Sequence, residues 1–145
     1  MVLLIDTNII IDVAVNRSPF MAKSMDVLEL CASQKVTGFI SSRSYCDIFY
    51  ILRKDMTAEY RKEYIKTIRG YLKTAVITDE IIDKALNNSD ITDFEDAIQY
   101  ACAESVGADY IVTRNIRDFG RTRIRAITPE ELLKHIENLL TKIKS

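Results

Sequence analysis

The amino-acid sequence predicts an α/β fold built around a mainly parallel central sheet of four to five strands. Short apolar runs rich in Val, Ile and Leu alternate with longer segments of helical period, an alternation that is typical of such folds. The chain has 145 residues, of which 48% are apolar and 28% charged, and these are the proportions of one ordinary globular domain. Because the sequence contains no repeat, low-complexity tract or linker, we expect a single domain over residues 1–145.

The first half of the chain predicts two strands and four helices. The strands are Val2–Ile5 and residues 36–40. The helices begin at residues that favour helix starts: Thr7 or Asn8, Ser18 with Pro19 at the first helical position, Ser41 or Ser42, and Thr57. In the second helix the inward stripe is expected at Met21, Met25, Leu28 and Cys31. The fourth helix is amphipathic and is expected to end near Lys73.

The second half predicts three further strands, at residues 75–77, 110–113 and 124–127. Thr78 is expected to cap a helix whose core-facing residues are Ile81, Ile82 and Leu86. Thr92 and Glu95 form a capping box for an Ala-rich helix over Phe94–Ser105, which Gly107 ends. A tight polar segment is expected from residue 114 to 120. The last helix is predicted after Thr128, with Pro129 at its first position.

Composition excludes several classes of protein. The 21 acidic and 20 basic residues give a net charge of −1, which argues against a globally basic nucleic-acid binder. No apolar run approaches the roughly 18 residues that a membrane span needs, and no secretory signal is present. We therefore expect a cytoplasmic protein without a membrane partner. The three cysteines (Cys31, Cys46 and Cys102) form no CxxC pair and are expected to be reduced core residues.

Several kinds of catalytic site are also absent from the sequence. It has neither the GxGxxG nor the GxxxxGK[ST] pattern of phosphate-binding loops. His135 is the only histidine, so a histidine-rich zinc site is excluded. Because His135 lies within the last predicted helix, we interpret it as a partly exposed helical residue rather than a general base.

Polar side chains follow the predicted strands at the point where each strand ends. Those side chains are Asp6 and Asn8 after the first strand, Asp47 after the second, Asp93 and Asp96 at the start of the Ala-rich helix, and Thr113, Asn115 and Asp118 after the fourth. The carboxyl ends of parallel strands share one edge of a sheet, where α/β proteins place their ligand sites. We therefore expect these side chains to converge.

Converging carboxylates repel one another unless a hard cation lies between them, and oxygen ligands favour Mg²⁺ or Mn²⁺. Such an ion can polarise a phosphodiester and supply a water nucleophile. Taken singly, three of the acids have a plainer interpretation: Asp6 as a helix cap, Asp93 as a first-turn acid and Asp118 as a turn residue. Asp47 differs because it is predicted within a helix among apolar residues, where an unpaired acid is costly.

The sequence resembles the PIN domain, a metal-dependent ribonuclease fold found in many toxins of VapC type. The resemblance extends over essentially the whole chain. It depends on four stretches in order: residues 4–8 (LIDTN), residues 41–50 with the embedded Asp47, residues 93–98 (DFEDAI) and residues 111–119 (IVTRNIRDF).

The resemblance implies a three-layer α/β/α sandwich that cleaves single-stranded RNA with Mg²⁺ or Mn²⁺. It assigns metal coordination to Asp6 and Asp96 first, then to Asp47, with Asp93 nearby. We expect Asn8, Thr113 and Asn115 to lie behind these ligands and support them. The chain departs from the family at two positions. Asp47 stands where the family often has Glu, and Asn115 stands where it commonly has Asp. Either Asp118 substitutes for that missing acid, or only three acids hold the metal.

Charge is segregated along the chain in a way that suits an RNA substrate. Residues 79–109 hold nine acids and one base, whereas residues 110–126 hold five arginines and one acid. An arginine beside a carboxylate–metal site pairs well with backbone phosphates. We hypothesise that Arg114 and Arg117 approach the metal edge and bind RNA. The alternative is a solvated loop that carries surface arginines.

The resemblance also implies a homodimer that a small antitoxin silences. Two other functions stay open. One is a non-catalytic RNA-binding or regulatory PIN domain whose metal site is degraded at Asn115. The other is a phospho-accepting receiver domain, but the sequence lacks that domain's paired acids around the first strand and its Lys after the last.

Overall fold

The computed structural model describes residues 1–120 and 122–145 and contains a five-stranded, all-parallel sheet in the order β3-β2-β1-β4-β5. The strands are β1 (Val2–Ile5), β2 (Thr37–Ser41), β3 (Lys73–Ala75), β4 (Tyr110–Val112) and β5 (Arg125–Ile127). The predicted α/β class and parallel sheet are confirmed. β1 lies at the centre of the sheet, so its carboxyl end is flanked by neighbours on both sides.

Seven α-helices connect the strands within the described residues. They are α1 (Thr7–Ala14), α2 (Met21–Ala32), α3 (Ser42–Ile51), α4 (Ala58–Arg69), α5 (Asp79–Leu86), α6 (Phe94–Ser105) and α7 (Pro129–Lys144). Short 3₁₀ helices follow α3 (Leu52–Lys54) and β4 (Ile116–Phe119). The second of these occupies the segment predicted to be tight and polar. No helix among the described residues combines the length and apolar character that crossing a bilayer requires.

The alternating side chains of β1 bury two separate cores. Leu3 and Ile5 pack into the first core, which α1, α2, α3, α4 and α7 cover. Leu4 packs into the second core, which α5 and α6 cover. Successive side chains of a strand point to opposite faces of the sheet, so helices on both faces bury Leu3, Leu4 and Ile5, and Val2 at the start of β1 is partly buried. The architecture is therefore the three-layer α/β/α sandwich that was expected.

Several predicted helix starts are confirmed by their caps. The side chains of Ser41, Thr57, Thr78 and Thr128 each accept a hydrogen bond from the backbone N–H three residues further on. Gly107 ends α6 with φ +65°, a conformation that costs glycine little.

Two predicted caps were wrong by one or two residues. The cap of α1 is Asp6, whose side chain accepts from the N–H of Thr7, rather than Thr7 or Asn8. The cap of α6 is Asp93, which accepts from the N–H of Asp96, rather than Thr92. In both cases an aspartate next to the expected cap satisfies the free N–H groups at the helix end, and aspartate is at least as good a cap as threonine.

Two element positions also differ from the prediction. α2 begins at Met21 and not at Pro19, because a turn closed by the Met21 N–H on the Arg17 carbonyl (2.9 Å) precedes it. α4 already ends at Arg69, so β3 lies at Lys73–Ala75, two residues before the predicted strand. β3 takes its place by pairing with β2, and a single-sequence pattern does not contain that information.

Some residues expected in the core are at the surface. Met25 is exposed, and the buried face of α2 is formed by Ser24, Val27, Leu28 and Cys31. Ile82 and Leu86 of α5 are exposed, and Ala85 takes the inward position. Cys46 is exposed, whereas Cys31 and Cys102 are buried free thiols as expected.

Candidate active site

A cleft of about 630 Å³ opens at the carboxyl edge of the sheet. It lies where β1 and β2 end and where α1, α3 and α6 begin. Six of the predicted site residues line it: Asp6, Asn8, Asp47, Asp96, Asn115 and Asp118. Parallel strands place their carboxyl ends on the same edge, so residues far apart in sequence meet in one cleft.

The Asp6 carboxylate is held by four hydrogen bonds. Oδ1 accepts from the backbone N–H of Thr7 at 2.8 Å and from Gln99 Nε2 at 3.2 Å. Oδ2 accepts from Thr113 Oγ1 at 2.7 Å and from Asn8 Nδ2 at 3.2 Å. Asp6 is thus both a helix cap and a fixed carboxylate at the centre of the site. The Thr113 side chain is buried behind it and does not line the cleft.

Asp47 reaches the cleft from the middle of α3. Its side chain is 37% exposed and lies 3.5 Å from Arg43 Nε, one helical turn earlier. The argument that Asp47 lies among apolar side chains and so favours a ligand loses that premise, because Asp47 is partly exposed beside Arg43 while its neighbours in sequence point elsewhere around the helix; its role as a ligand stays a prediction. The same Arg43 side chain donates from Nη2 to Glu95 Oε1 at 2.8 Å, which links α3 to α6.

Asp96, in the first turn of α6, has the strongest electrostatic signature in the site. Partial burial, together with the nearby charges of Asp118, Asp93, Asp6 and Glu95, raises the pKa of its carboxyl to about 6. The cleft thus concentrates negative charge around one side chain. A carboxylate in such a position is stabilised by any cation that enters the cleft.

Two further predicted acids have different positions. Asp118 lies in the 3₁₀ helix after β4 and lines the cleft beside Asn115, as its proposed replacement of the missing acid requires. Asp93 does not line the cleft, because its side chain is directed to the N-terminus of α6 as the cap. Asp93 influences the site through its charge on Asp96.

The donor set fits a hard divalent cation better than any other metal. Apart from the guanidinium groups of Arg17 and Arg43, the polar side chains that line the cleft offer carboxylate, amide and hydroxyl oxygens, which Mg²⁺ and Mn²⁺ prefer. Gln99 contributes a buried Oε1 that has no hydrogen-bond partner. In the described part of the chain no three acidic, histidine or cysteine side chains are close enough to share one ion. Joint coordination therefore requires side-chain movement into the cleft.

The predicted RNA-binding arginines are not at the cleft. Arg114 Nε lies 2.5 Å from Oδ2 of the buried Asp12, and its guanidinium stacks 4.4 Å from the centre of the Phe20 ring. Arg117 lines a separate pocket with Arg125. Neither side chain lines the cleft, so the expectation that both approach the metal edge was wrong, whereas RNA binding by Arg114 and Arg117 stays a prediction. A buried carboxylate attracts Arg114 more strongly than solvent does, and sequence position gave no sign of that partner.

The structure instead brings Arg17, Arg43, Tyr50 and Gln99 to the cleft. Of these four residues only Arg43 had a signal in the sequence, and a second signal belonged to Asp12, which contacts Arg17. Arg43 precedes Asp47 by four residues, the spacing of an ion pair on one helix face. Asp12 follows three isoleucines within a short helix, and a charged residue on such an apolar face demands a partner.

Comparison with known proteins gives one family. A profile described as PIN domain matches residues 2–117, which is most of the chain. No curated protein sequence matches the chain.

Solved structures show the same fold at low sequence identity. VapBC2 from Rickettsia felis, bound to a DNA fragment from its promoter, is 20% identical with a TM-score of 0.68, covering 88% of this chain and 98% of that one. A toxin-antitoxin complex from Klebsiella pneumoniae is 22% identical with a TM-score of 0.67, covering 88% and 97%. Mycobacterium tuberculosis VapC20, described as a sarcin-ricin loop cleaving toxin, is 13% identical with a TM-score of 0.62, covering 85% and 98%.

Proposed function

The chain belongs to the PIN domain family, and on that premise we propose that it is an endoribonuclease that hydrolyses single-stranded RNA with Mg²⁺ or Mn²⁺. The observation that carries the proposal is the cleft into which four separate segments direct Asp6, Asp47, Asp96 and Asp118. Four carboxylates at the carboxyl edge of a parallel sheet, without a histidine or a lysine among the lining residues, are suited to binding a divalent cation.

The proposed roles follow from the position of each side chain. Asp6 and Asp96 are the principal metal ligands, and Asp47 and Asp118 complete the set. A bound divalent ion polarises the scissile phosphodiester and lowers the pKa of a bound water. Asn8, Thr113 and Gln99 fix the Asp6 carboxylate through hydrogen bonds to both of its oxygens. Ligands that are held in place in this way need little reorganisation when the substrate arrives.

We further propose that the protein is the toxin of a toxin-antitoxin pair. The supporting observation is that one solved structure of this fold is described as a toxin-antitoxin complex, and two others are described as VapBC bound to DNA. The partners would then be a small antitoxin protein and, in a homodimer, a second copy of this chain. The single-domain organisation over residues 1–145 and the cytoplasmic location belong to the same proposal.

The test compares metal binding and RNA cleavage in matched variants. Mn²⁺ binding is measured by calorimetry, and cleavage is measured on a labelled single-stranded RNA. Asp6→Asn and Asp96→Asn preserve side-chain shape and remove charge, so we expect both to lower Mn²⁺ affinity and to reduce cleavage about 100-fold or more. Asp26→Asn, at an exposed position on α2 outside the cleft, is the control and should match the wild type.

Asp93→Asn separates the two roles considered for Asp93. Asparagine caps a helix as well as aspartate does. If Asp93 acts only as a cap, the Mn²⁺ affinity of Asp93→Asn should therefore stay within about twofold of the wild type. Wild-type cleavage no greater than that of Asp6→Asn would overturn the enzyme proposal. RNA binding without Mn²⁺ binding would establish the alternative, a non-catalytic RNA-binding PIN domain, which the neutral Asn115 favours.

A further inference from the structure

We propose that Arg17, held in place by the buried Asp12, binds a backbone phosphate of the RNA strand at the mouth of the cleft. This inference deepens the proposed function and rests on it, because it names a substrate-binding residue of the same site. The observations that carry it are the contacts of Asp12, the balance of charge around it and the exposure of Arg17.

Asp12 is a fully buried carboxylate that binds two arginines. It lies on α1 with 0% of its side chain exposed. Its Oδ1 lies 3.3 Å from Arg114 Nη2 and 3.4 Å from Arg17 Nη1, so the two guanidinium groups share one oxygen. Its Oδ2 accepts from Arg114 Nε. We call these three residues the Asp12 cluster.

A turn after α1 brings the Arg17 backbone back beside Asp12. The Arg17 N–H donates to the Asp12 carbonyl at 2.9 Å, directly after α1 ends. Asn16 takes the left-handed conformation with φ +53°, which asparagine tolerates better than most residues. The Arg17 backbone is therefore held by a hydrogen bond and its guanidinium is restrained by one ion-pair contact, and an arginine restrained in this way loses less entropy when it binds a ligand.

The Asp12 cluster carries one positive charge more than its carboxylate neutralises. Of its two arginines, Arg114 is the more enclosed, with 25% of its side chain exposed beneath the Phe20 ring. Arg17 has 47% of its side chain exposed and lines the cleft. The excess charge is thus accessible to a ligand at Arg17, and only a single 3.4 Å contact with Asp12 engages that guanidinium.

Arg43, the other arginine that lines the cleft, has no excess positive charge to offer a ligand. Arg43 lies 3.5 Å from Asp47 and 2.8 Å from Glu95, so two carboxylates oppose its single charge. Within the described residues, Arg17 and Arg43 are the cations that line the cleft. A polyanionic strand that enters therefore finds excess positive charge at Arg17, and the planar guanidinium is suited to paired hydrogen bonds with phosphate oxygens.

The experiment measures binding of a labelled single-stranded oligouridylate in EDTA, where the absence of divalent ions prevents cleavage. Each phosphate neutralised by a protein cation contributes about 0.7 to the slope of log K against log salt for a single strand. We expect Arg17→Ala to lower that slope by about 0.7 and to weaken binding about fivefold at low salt. Arg17→Lys keeps the charge, so the slope should stay at the wild-type value.

The matched control is Arg123→Ala. Arg123 is also in one ion pair, 3.3 Å from Glu104, and does not line the cleft. The Arg123→Ala variant should leave both the salt slope and the affinity unchanged. An unchanged slope in Arg17→Ala, an equal fall in Arg123→Ala, or a wild type that does not bind the oligonucleotide overturns the inference.

RNA cleavage with Mn²⁺ tests the proposed function separately from the salt dependence of binding. If the wild type cleaves RNA with Mn²⁺ while Arg17→Ala keeps the full slope, this inference fails and the proposed function stands. If the slope falls as expected but the wild type does not cleave, the enzyme proposal fails and the binding residue stands.

Discussion

Two clusters of arginine and carboxylate border the cleft, and their compositions are opposite. The Asp12 cluster places two arginines around one carboxylate that is fully buried. On the other side, Arg43 lies between Asp47 and Glu95, and all three side chains are substantially exposed. We call this second group the Arg43 cluster. The first has an excess of one positive charge and the second an excess of one negative charge.

The difference in burial predicts different roles. The buried Asp12 cluster supports the fold, whereas the charges of the exposed Arg43 cluster can change with little effect on the fold. Removing one partner of a buried pair leaves an uncompensated charge, which is strongly destabilising. Exposed pairs contribute about 0–1 kcal/mol because water and salt screen them. The Asp12 cluster is therefore expected to hold the shape of the cleft. The Arg43 cluster is expected to change the charge that a metal meets, with little effect on the fold.

The largest expected effect is that of Asp12→Asn. The substitution removes the carboxylate that both arginines share, so we expect the free energy of unfolding to fall by about 3 kcal/mol, measured by urea denaturation. Glu95→Gln, which removes one acid from the Arg43 cluster, is the matched control and should change stability by less than about 0.5 kcal/mol. Equal losses in the two variants would contradict the distinction between the clusters.

A smaller effect on stability is expected from Asp96→Asn. Asp96 is partly buried and lies near four other acids, which are Asp118, Asp93, Asp6 and Glu95. Its folded-state pKa of about 6 exceeds the ordinary value of 3.8, so the folded protein binds this proton more tightly than the unfolded chain does. The stability from that proton is complete below the unfolded-state pKa and is lost as the pH rises through about 6. Asp96→Asn should therefore be more stable than the wild type at pH 7, by about 1 kcal/mol after solvent screening.

Thermal unfolding of both proteins between pH 4 and pH 7 checks this expectation. The advantage of Asp96→Asn should shrink as the pH falls, because the wild-type carboxyl then takes up its proton. A constant difference across that range would show that ionisation of Asp96 is not the cause. The same variant is expected to lose cleavage, so stability and activity should change in opposite directions.

The smallest effect on stability is expected from Arg43→Met, which keeps much of the apolar stem. We expect the free energy of unfolding to change by less than about 0.5 kcal/mol. Asp47 and Glu95 would lose their counter-charge, so Mn²⁺ affinity should rise about threefold by calorimetry. A fall in Mn²⁺ affinity would instead make Arg43 a support for the site rather than a competitor for its carboxylates.

Local signals in the sequence predicted most of the fold. The caps at Ser41, Thr57, Thr78 and Thr128 depend on residues within one turn of each other, and all four are confirmed. The position of β3 depends on its pairing with β2, and the start of α2 depends on the turn that precedes it. Neither constraint is visible in a window of neighbouring residues.

In the candidate site too, positions that depend on local sequence were predictable, and positions that depend on long-range contacts were not. The convergence of the acids was predictable, because Asp6 and Asp118 follow parallel strands, and Asp47 and Asp96 lie in helices that begin at the same edge. The arginines were not, because Arg114 meets a partner 102 positions away in sequence. A long flexible side chain binds whichever buried carboxylate the fold presents. Only the folded arrangement distinguishes Arg17 at the cleft from Arg114 beside it.

The direction of the sheet has a practical consequence for work at the bench. β1 begins at the edge opposite the cleft, where the Val2 N–H donates to Asp109 Oδ2 at 2.7 Å. α7 starts at the cleft edge and runs back, bringing His135 Nε2 within 3.2 Å of the Tyr110 hydroxyl at the start of β4. Both ends of the chain therefore leave from the far side of the molecule. We therefore expect that a fluorescent reporter or a surface attachment at either end leaves the cleft free for the proposed RNA substrate.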